Sequence, residues 1–343
     1  MIDWLKVRFD YRPSVEEAGR LYGGEVVIIE ADGSVKWRKV KAFSMEGSHC
    51  TFLQVGVDSF TGCLQVDGNP AKYFQGHNVF GTWNVRGLAL ATFIEVCGKL
   101  DIPTRASDLA RVAAGEFEVL RVDLTESFDC GSLQRARSVL ESISMHGHMR
   151  QSRHGKGLLD QGTLYYRKRS RRWAAKAYCK GQEVASRRII TTFPEAHEVY
   201  ELAQSLLRVE FVVRAMELKT RRLHRGRAWC DSTPQAVFRE MLAKLEMPMT
   251  HELPSVALDA LPTKLRAIYV AWKAGEDIRL LCSRPTFYRY RRDLRAFGID
   301  ISIRQPKEFS NVVPLVQLIE LRPLGVPARF VGTKAYFDPA LVA

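Results

Sequence analysis

The chain has 343 residues, 46% of them hydrophobic and 26% charged. It is therefore long enough for two or three packed domains and is not a disordered or low-complexity protein. The net charge of +13 favours a polyanionic partner, nucleic acid before an anionic membrane, because lysines and arginines that neutralise phosphates release condensed counterions. No window approaches the roughly 20 apolar residues of a membrane span, and seven scattered cysteines include no zinc-ligand spacing. We expect a cytoplasmic protein with reduced thiols and no membrane partner.

Short alternating runs separated by turn residues fill the first part of the chain and predict an antiparallel meander. A hairpin turn is indicated at Asp32-Gly33, and a glycine-rich loop at 68–81 leads into a helix predicted from Val85 to Leu100. The predicted strands are 5–9, 25–30, 35–40, 50–57 and 63–66.

A comparable unit follows. Its predicted strands are 118–125, 163–167, 172–180 and 207–214, and its predicted helices are 133–144 and 194–205. Two sheet-plus-helix units in series predict an α+β fold with an antiparallel sheet, and they suggest a duplicated core.

The pattern turns helical after the basic run 219–227. We therefore divide the chain into a sheet-rich domain, 1–227, and a C-terminal helical domain, 228–343. A short helix at 265–273, a turn at Gly275, a short helix at 277–281 and a longer helix from Arg284 to Phe297 predict a helix-turn-helix arrangement.

The longer helix has the features of a recognition helix. Helical spacing directs Phe287, Leu294 and Phe297 to the core. Arginines on the outer face suit bidentate contacts to guanine in the major groove, and a basic surface helix with no groove role is the alternative. The predicted DNA-contacting residues are Arg284, Tyr288, Arg291, Arg292 and Arg295.

Two triplets, Arg121-Val122-Asp123 and Arg208-Val209-Glu210, lie in predicted strands. Strand side chains alternate between faces, so the arginine and the acid of each triplet share one face. Two carboxylates on neighbouring strands are enough to hold Mg²⁺ or Mn²⁺ beside a substrate phosphate. The alternative is an ion pair on a solvated sheet face. We count Arg121 and Arg208 among the possible DNA contacts.

Lys176, Tyr178 and Lys180 share one face of a predicted strand, where the ammonium groups would favour the tyrosine phenolate. A half-buried sheet tyrosine is the alternative, and Tyr165 and Tyr166 are rivals on the neighbouring strand. Glu183 is either a further metal ligand or a partner of Lys180.

The turn before Trp173 concentrates positive charge, which is unfavourable unless an anion binds there. We predict phosphate contacts from this tip, although charge runs are usually only solvated, and Arg187 and Arg188 add to the same region. Trp173 either stacks on an unpaired base or belongs to the core. The cations of the tip are Arg167, Lys168, Arg169, Arg171 and Arg172.

Histidines offer a further set of metal ligands. His77, in the glycine-rich loop, is a metal ligand, a phosphate donor or a residue that ties the loop together, and its neighbours Lys72 and Asn78 are possible contacts to the DNA backbone. His146 and His148 flank a glycine in a segment typical of a loop, so we treat them as loop residues and possible DNA contacts, and not as a metal-binding pair.

The loop 68–81, the two Arg-x-acid triplets in this order, and Tyr178 with Lys180 and Glu183 resemble motifs of the filamentous-phage replication initiators, the gene II/X nicking proteins. The segment 311–316 resembles their C-terminal part. By this resemblance Tyr178 is the nucleophile, with Tyr166 in reserve. Asp123 and Glu210 hold Mg²⁺, or Mn²⁺ in its place, and Glu183 and His77 are further possible ligands.

The resemblance implies a metal-dependent enzyme in the cytoplasm of a bacterial host. Such an enzyme nicks the double-stranded phage origin through a covalent 5′-phosphotyrosine link and later rejoins the displaced single strand into a circle. Host helicase and DNA polymerase would be its partners. The alternatives are a non-catalytic DNA-binding protein, such as a repressor or origin-marking factor, and a hydrolytic nuclease that leaves no protein on the DNA.

Overall fold

A computed structural model of the chain describes residues 1–47, 51–149, 157–186, 193–246, 261–302 without 296, 298 and 300, and 323–342. Over these residues a ten-stranded antiparallel sheet is the central element. Its strands are β1 Ile2–Phe9, β2 Tyr22–Ile29, β3 Val35–Glu46, β4 Phe52–Val57, β5 Leu64–Gly68, β6 Phe117–Asp129, β8 Leu158–Asp160, β9 Thr163–Tyr166, β10 Trp173–Cys179 and β11 Leu206–Arg214. Two short strands, β7 His148–Met149 and β12 Leu245–Glu246, pair with each other.

The strand order is β2-β3-β4-β5-β1-β6-β11-β10-β9-β8, so β1 and β6 lie at the centre and β11 lies next to β6. The described helices are α1 Val15–Arg20, α2 Pro70–Gln75, α3 Val85–Lys99, α4 Ala106–Ala113, α5 Leu133–His146, α6 Lys180–Ser186, α7 Ala196–Gln204, α8 Ala215–Thr220, α9 Thr233–Leu242, α10 Thr263–Lys273, α11 Ile278–Leu281 and α12 Arg284–Arg295. The α+β class with an antiparallel sheet is confirmed. The duplication stays a prediction.

One face of the sheet packs against α3 and α5 in the main hydrophobic core. Asn84 and Ser132 cap the two helices through side-chain oxygens, which supply partners to backbone N–H groups at the helix starts. Phe93 of α3 and Phe211 of β11 are both fully buried in this core. Burial of such a side chain stabilises the fold by about 1.5–3 kcal/mol, so this face fixes the strand register.

The opposite face carries the polar side chains of the central strands. A second hydrophobic cluster covers one end of it, formed by Val79 and Phe80 of the loop, Leu206 of β11, and residues of α6, α7 and the C-terminal segment. Phe330 of that segment stacks on Phe80, with ring centroids 4.9 Å apart. The polar face is therefore closed at one end.

The glycine-rich loop contains a short helix, α2, that the loop prediction missed. Pro70 begins this helix, and the Asn69 side chain caps it by accepting a hydrogen bond from Lys72 N–H. Gly76 ends the helix at φ +84°, a left-handed conformation that glycine adopts without a Cβ clash.

The first residues of the predicted C-terminal domain pack with the sheet, and the division into domains stays a prediction. Trp229, Phe238 and Met241 belong to the main core, and β12 pairs with β7, so residues 229–246 pack with the sheet. Phe337 near the C-terminus stacks on Phe74 at 4.2 Å between ring centroids. The last segment therefore also returns to the sheet, which sequence periodicity could not reveal.

The C-terminal helices α10, α11 and α12 enclose a cluster of their own. Phe287 and Leu294 are buried as predicted, but Phe297 lies beyond the end of α12 and is 40% exposed. Ile299 and Ile301 fill the core instead. In the described part of the chain, no helix combines the length and apolar content needed to cross a membrane.

Candidate active site

Side chains from three adjacent strands converge on the polar face of the sheet. Glu210 on β11 lies opposite Thr125 on β6, and Asp123 lies opposite Val212. Asp123 and Glu210 are therefore diagonal neighbours on one face. Lys176 on β10 lies opposite Glu210 on the other side.

Tyr178, two residues after Lys176, completes the group. Its hydroxyl donates a hydrogen bond to Glu210 Oε2 at 3.5 Å. The strand register thus places the predicted nucleophile against one of the two predicted metal-binding acids.

Each acid is paired with a cation. Arg121 binds Asp123 in a bidentate manner, Nε to Oδ1 at 2.8 Å and Nη2 to Oδ2 at 2.6 Å, and lies over the Trp4 ring. Lys176 Nζ is 2.6 Å from Glu210 Oε1. Asp123 and Glu210 are each only 1% exposed, so the alternative of ion pairs on a solvated face is wrong.

Burial raises the pKa of both acids despite their cation partners. The pKa of Asp123 is raised mainly by burial. Burial raises the pKa of Glu210 from 4.5 to about 8, and the negative charge of Asp3 adds to the effect. A divalent cation would stabilise the ionised forms of Asp123 and Glu210, because its positive charge would offset the cost of burying two carboxylates together.

Asp3 is a residue of this site that the sequence prediction missed. The glycine-rich loop holds its Oδ1 through Asn69 Nδ2 at 3.0 Å and Asn78 Nδ2 at 2.8 Å. Burial opposes ionisation, but the charges of Arg208 and Lys180 and the Asn78 hydrogen bond outweigh it, so the pKa of Asp3 is lowered. The only signal in the sequence was a lone acid at the start of an apolar strand.

The prediction that flanking lysines favour the Tyr178 phenolate is wrong in this structure. Burial raises its pKa well above 10, and the negative charges of Glu210 and Asp3 offset the opposing effect of Arg208. Attack by this hydroxyl therefore requires a base to accept its proton.

Lys180 begins α6 and does not continue the strand. Its ammonium group donates to Asn78 Oδ1 at 2.7 Å and to Glu183 Oε2 at 2.6 Å. Burial, helped by the charge of Arg208, lowers the pKa of Lys180 to about 8. Glu183 is therefore the ion-pair partner of Lys180, and Asn78 is an internal link between the loop and α6.

Arg208 is completely buried, so its assignment as a DNA contact is wrong. Nε donates to Ser127 Oγ at 3.1 Å and Nη2 to the Val79 carbonyl at 2.7 Å, while Nη1 lies 3.9 Å from Asp3 Oδ1. This arginine joins β11 and β6 to the glycine-rich loop.

Two predicted catalytic or metal-binding residues have other roles. Tyr166 faces the hydrophobic core, where its hydroxyl donates to the Ile143 carbonyl at 3.4 Å and burial raises its pKa, so it cannot replace Tyr178. His77 Nε2 lies 2.7 Å from the Ala335 carbonyl, and Nδ1 accepts from Val79 N–H at 3.2 Å. With both ring nitrogens engaged, His77 ties the loop to the C-terminal segment, which was one of its three predicted roles.

The cationic tip between β9 and β10 is partly neutralised by the protein itself. Lys168 pairs with Asp160 at 2.7 Å and Arg172 with Glu217 at 2.9 Å. Arg167 lies over Trp173, a buried core residue that cannot stack on a base. Two exposed arginines of the tip, Arg169 and Arg171, form no ion pair with a described residue. Only these two would gain from an external anion.

The remaining predicted contacts lie at the surface or outside the described residues. Lys72 is half-buried on α2. On α12, Arg291 is half-buried, whereas Arg284, Tyr288, Arg292 and Arg295 are exposed. Arg187, Arg188 and the segment 311–316 lie outside the described residues, and so do the side chains of His146 and His148.

The site offers oxygen ligands for a small divalent cation. Among the described residues no three His, Cys, Asp or Glu side chains lie close enough together to bind a metal. Mg²⁺ needs only one or two protein carboxylates beside water and phosphate, which Asp123 and Glu210 can supply. The Thr125 hydroxyl, buried opposite Glu210, has no hydrogen-bond partner in the described part of the chain. This donor set fits Mg²⁺ or Mn²⁺.

The chain is similar to known replication proteins over nearly its whole length. Two family models for the replication-associated protein encoded by phage gene II match it, the N-terminal model at residues 1–232 and the C-terminal model at 258–335. The replication-associated protein of Enterobacteria phage I2-2 is 33% identical over 339 residues, which cover 96% of each chain. The solved structure of a rolling circle replication initiator protein from Geobacillus stearothermophilus aligns with 76% of this chain and 91% of its own, at 12% identity and a TM-score of 0.34.

The fold and the site define an α+β protein with a buried centre of carboxylates and tyrosine on a central antiparallel sheet. The chain belongs to the gene II family of phage replication-associated proteins, because the family models match more than half of it. The resemblance seen in the motifs is thus confirmed, and with it a role in DNA replication.

Proposed function

We propose that this protein initiates rolling-circle replication by nicking one strand of a double-stranded origin and linking the 5′ phosphate to Tyr178. The observation that carries the proposal is the position of Tyr178, Glu210 and Asp123 on three adjacent strands, with the phenol in contact with Glu210. The membership of the gene II family of replication-associated proteins supports it.

Glu210 is the base that the buried phenol needs. In its ionised form Glu210 accepts the Tyr178 proton as the phenolic oxygen attacks phosphorus, so that a bond from the tyrosine oxygen to phosphorus forms and the bond from phosphorus to the 3′ oxygen breaks. The 3′ oxygen takes up a proton from solvent and leaves as a hydroxyl. Attack of a later 3′-hydroxyl reverses these steps and closes the displaced single strand into a circle.

Asp123 and Glu210 would hold the divalent cation, whose chemistry is to stabilise the negative charge that develops on the phosphoryl oxygens. Arg121 orients Asp123 through its bidentate contact. Asp3 is held by two asparagines of the loop and keeps its negative charge beside Arg208.

Recognition of the origin would fall to the C-terminal helices. α12 exposes Arg284, Arg292 and Arg295 on a helix that follows a short helix and a turn, as in proteins that read the major groove. In a bacterial host the released 3′-hydroxyl would be extended by host DNA polymerase, with a host helicase separating the strands ahead.

Relaxation of a supercoiled plasmid that carries the phage origin tests the proposal. The wild-type protein should relax it in Mg²⁺ or Mn²⁺ but not in chelator, and a denaturing gel should show protein attached to the DNA. Tyr178→Phe should bind the origin and form no adduct. Tyr165→Phe is the matched control, because Tyr165 lies opposite Lys176 on the neighbouring strand.

Each alternative function has its own outcome in this experiment. Binding without relaxation would favour a non-catalytic DNA-binding protein. Cleavage that leaves no protein on the DNA end would favour a hydrolytic nuclease. A normal adduct in Tyr178→Phe would eliminate Tyr178 as the nucleophile.

A further inference from the structure

A cavity of about 450 Å³ lies at the end of the sheet where β1 finishes and β6 begins. We name it the arginine cavity because four arginines line it: Arg8, Arg12, Arg225 and Arg227. Its volume falls in the range of small-ligand sites in proteins, so it can hold one nucleotide unit. Neither the triplets nor the C-terminal helices contribute to it.

The acids of the lining already have cation partners. Asp10 and Glu116 both bind Arg111, the latter at 2.8 Å from Nε, and Glu118 binds Arg8. These pairs leave no acid of the lining free to neutralise the other arginines.

Arg12, Arg225 and Arg227 are exposed at the rim, and none of them forms an ion pair with a described residue. These three guanidinium groups, which have no acidic partner among the described residues, repel each other across one concave site, and an anion bound between them would relieve this repulsion. Guanidinium groups are well suited to this because their N–H groups match the geometry of phosphate oxygens.

The backbone fixes the basic segment in this position. Val119 N–H donates to the His224 carbonyl at 2.9 Å, and Arg227 N–H donates to the Gly115 carbonyl at 3.0 Å. Gly115 has φ +83°, and a Cβ there would lie 2.4 Å from Arg227 N, so only glycine allows this close approach. Arg225 and Arg227 are therefore held on a rigid support.

The cavity is aligned with the candidate active site. Arg8 and Lys6 share the polar face of β1, and Lys6 lies opposite Arg121, which holds Asp123. Glu118 lies five positions before Asp123 on β6, which is about 17 Å along the strand. A DNA strand that leaves the scissile phosphate along this face would reach the cavity within a few nucleotides.

We propose that the arginine cavity binds one nucleotide of the DNA strand that flanks the nick, with a backbone phosphate on Arg12, Arg225 and Arg227. The inference rests on the proposed function. The cavity thereby sets the path of the strand on the polar face, whereas α12 contacts the duplex.

Binding of a short fluorescein-labelled single-stranded oligonucleotide, followed by anisotropy in chelator, tests the inference. The double variant Arg225→Ala/Arg227→Ala should lower affinity roughly 10- to 100-fold and reduce the slope of log K against log salt by about 1.4. Arg222→Ala is the matched control, since Arg222 is exposed in the same basic run but does not line the cavity. It should change affinity by less than about threefold.

The charge-preserving double variant Arg225→Lys/Arg227→Lys should retain most of the affinity, and a thermal melt confirms that each variant is folded. The inference would be overturned if Arg222→Ala and the alanine pair lowered the affinity equally. It would also be overturned if the alanine pair bound the oligonucleotide as tightly as the wild type. The adduct assay separates the two proposals. Normal oligonucleotide binding by the alanine pair, with loss of adduct in Tyr178→Phe, removes the cavity and leaves the nicking mechanism. Weakened oligonucleotide binding by the alanine pair, with a normal adduct in Tyr178→Phe, removes the nicking mechanism and leaves the cavity.

Discussion

The two Arg-x-acid triplets have the same sequence pattern on adjacent strands but different surroundings. Arg121 binds its own Asp123, and about a third of its side chain is exposed. Arg208 is completely buried and binds Ser127 and the Val79 carbonyl, while Glu210 takes Lys176 as its partner. The second hydrophobic cluster covers only the Arg208 end of the polar face. Arg208 therefore holds the site together, whereas Arg121 borders its open side.

The largest difference between the triplets should appear in stability. Arg208→Ala would leave Asp3 and the Val79 carbonyl buried without their partner, which should lower the free energy of unfolding by about 3–5 kcal/mol. Arg121→Ala should cost less, because about a third of the Arg121 side chain is exposed, so water can enter the space that it leaves beside the buried Asp123 carboxylate. Urea unfolding of both variants measures this, and equal costs would contradict the assigned roles.

Substitutions of the two acids should have more similar effects than substitutions of the two arginines, because both acids are placed in the nicking site. Glu210→Gln and Asp123→Asn should each slow formation of the protein–DNA adduct by roughly 100- to 1000-fold while origin binding is retained. Loss of the proton acceptor should make Glu210→Gln the slower of the two. Asp160→Asn, at an exposed ion pair with Lys168, is the control and should nick normally. Wild-type rates in either site variant would refute the placement.

We also expect a dependence of stability on pH, with Glu210 as its main source. Because the pKa of Glu210 is raised to about 8 in the folded protein, the unfolded chain loses its proton first, at about pH 4.5. Folding stability should therefore fall between about pH 5 and 8, by at most about 1.4 kcal/mol per pH unit for this group. Burial also raises the pKa of Asp123 and of Glu126, which act in the same direction.

Glu210→Gln should flatten this fall, and Mg²⁺ should stabilise the wild type more at pH 8 than at pH 6, since the cation competes with the proton. Chemical denaturation at several pH values measures both effects. The transition of Lys180 lies above this window, because its pKa is lowered only to about 8. A wild-type stability that rises from pH 5 to 8 would contradict the assigned burial of Glu210.

Much of the fold could be predicted because strand alternation and helix punctuation are local properties. The helix beginning at Val85 and the strands that carry Asp123 and Glu210 follow from residues next to each other in the chain. The same alternation correctly placed each acid on the face of its arginine. It could not show that Arg208 is buried and Arg121 half-exposed, since this depends on a cluster that includes residues near the C-terminus.

The contacts of the glycine-rich loop were also beyond the sequence pattern. Asp3 and Asn78 meet across 75 positions of the chain, and His77 meets Ala335 across 258. Such pairs depend on how β1 and the last segment pack against the loop. For the same reason the sequence predicts a DNA contact for Asn78, whereas its side chain binds Asp3 and Lys180 within the protein.

The nicking mechanism depends most on Tyr178 as the residue that becomes linked to DNA. The most direct measurement is to nick the origin with the full-length protein, digest the adduct with protease and nuclease, and identify the nucleotide-bearing peptide by mass spectrometry. We predict a single modified peptide with the nucleotide on Tyr178. Modification of Tyr165, Tyr166 or a serine, or cleaved DNA with no attached peptide, would contradict this mechanism.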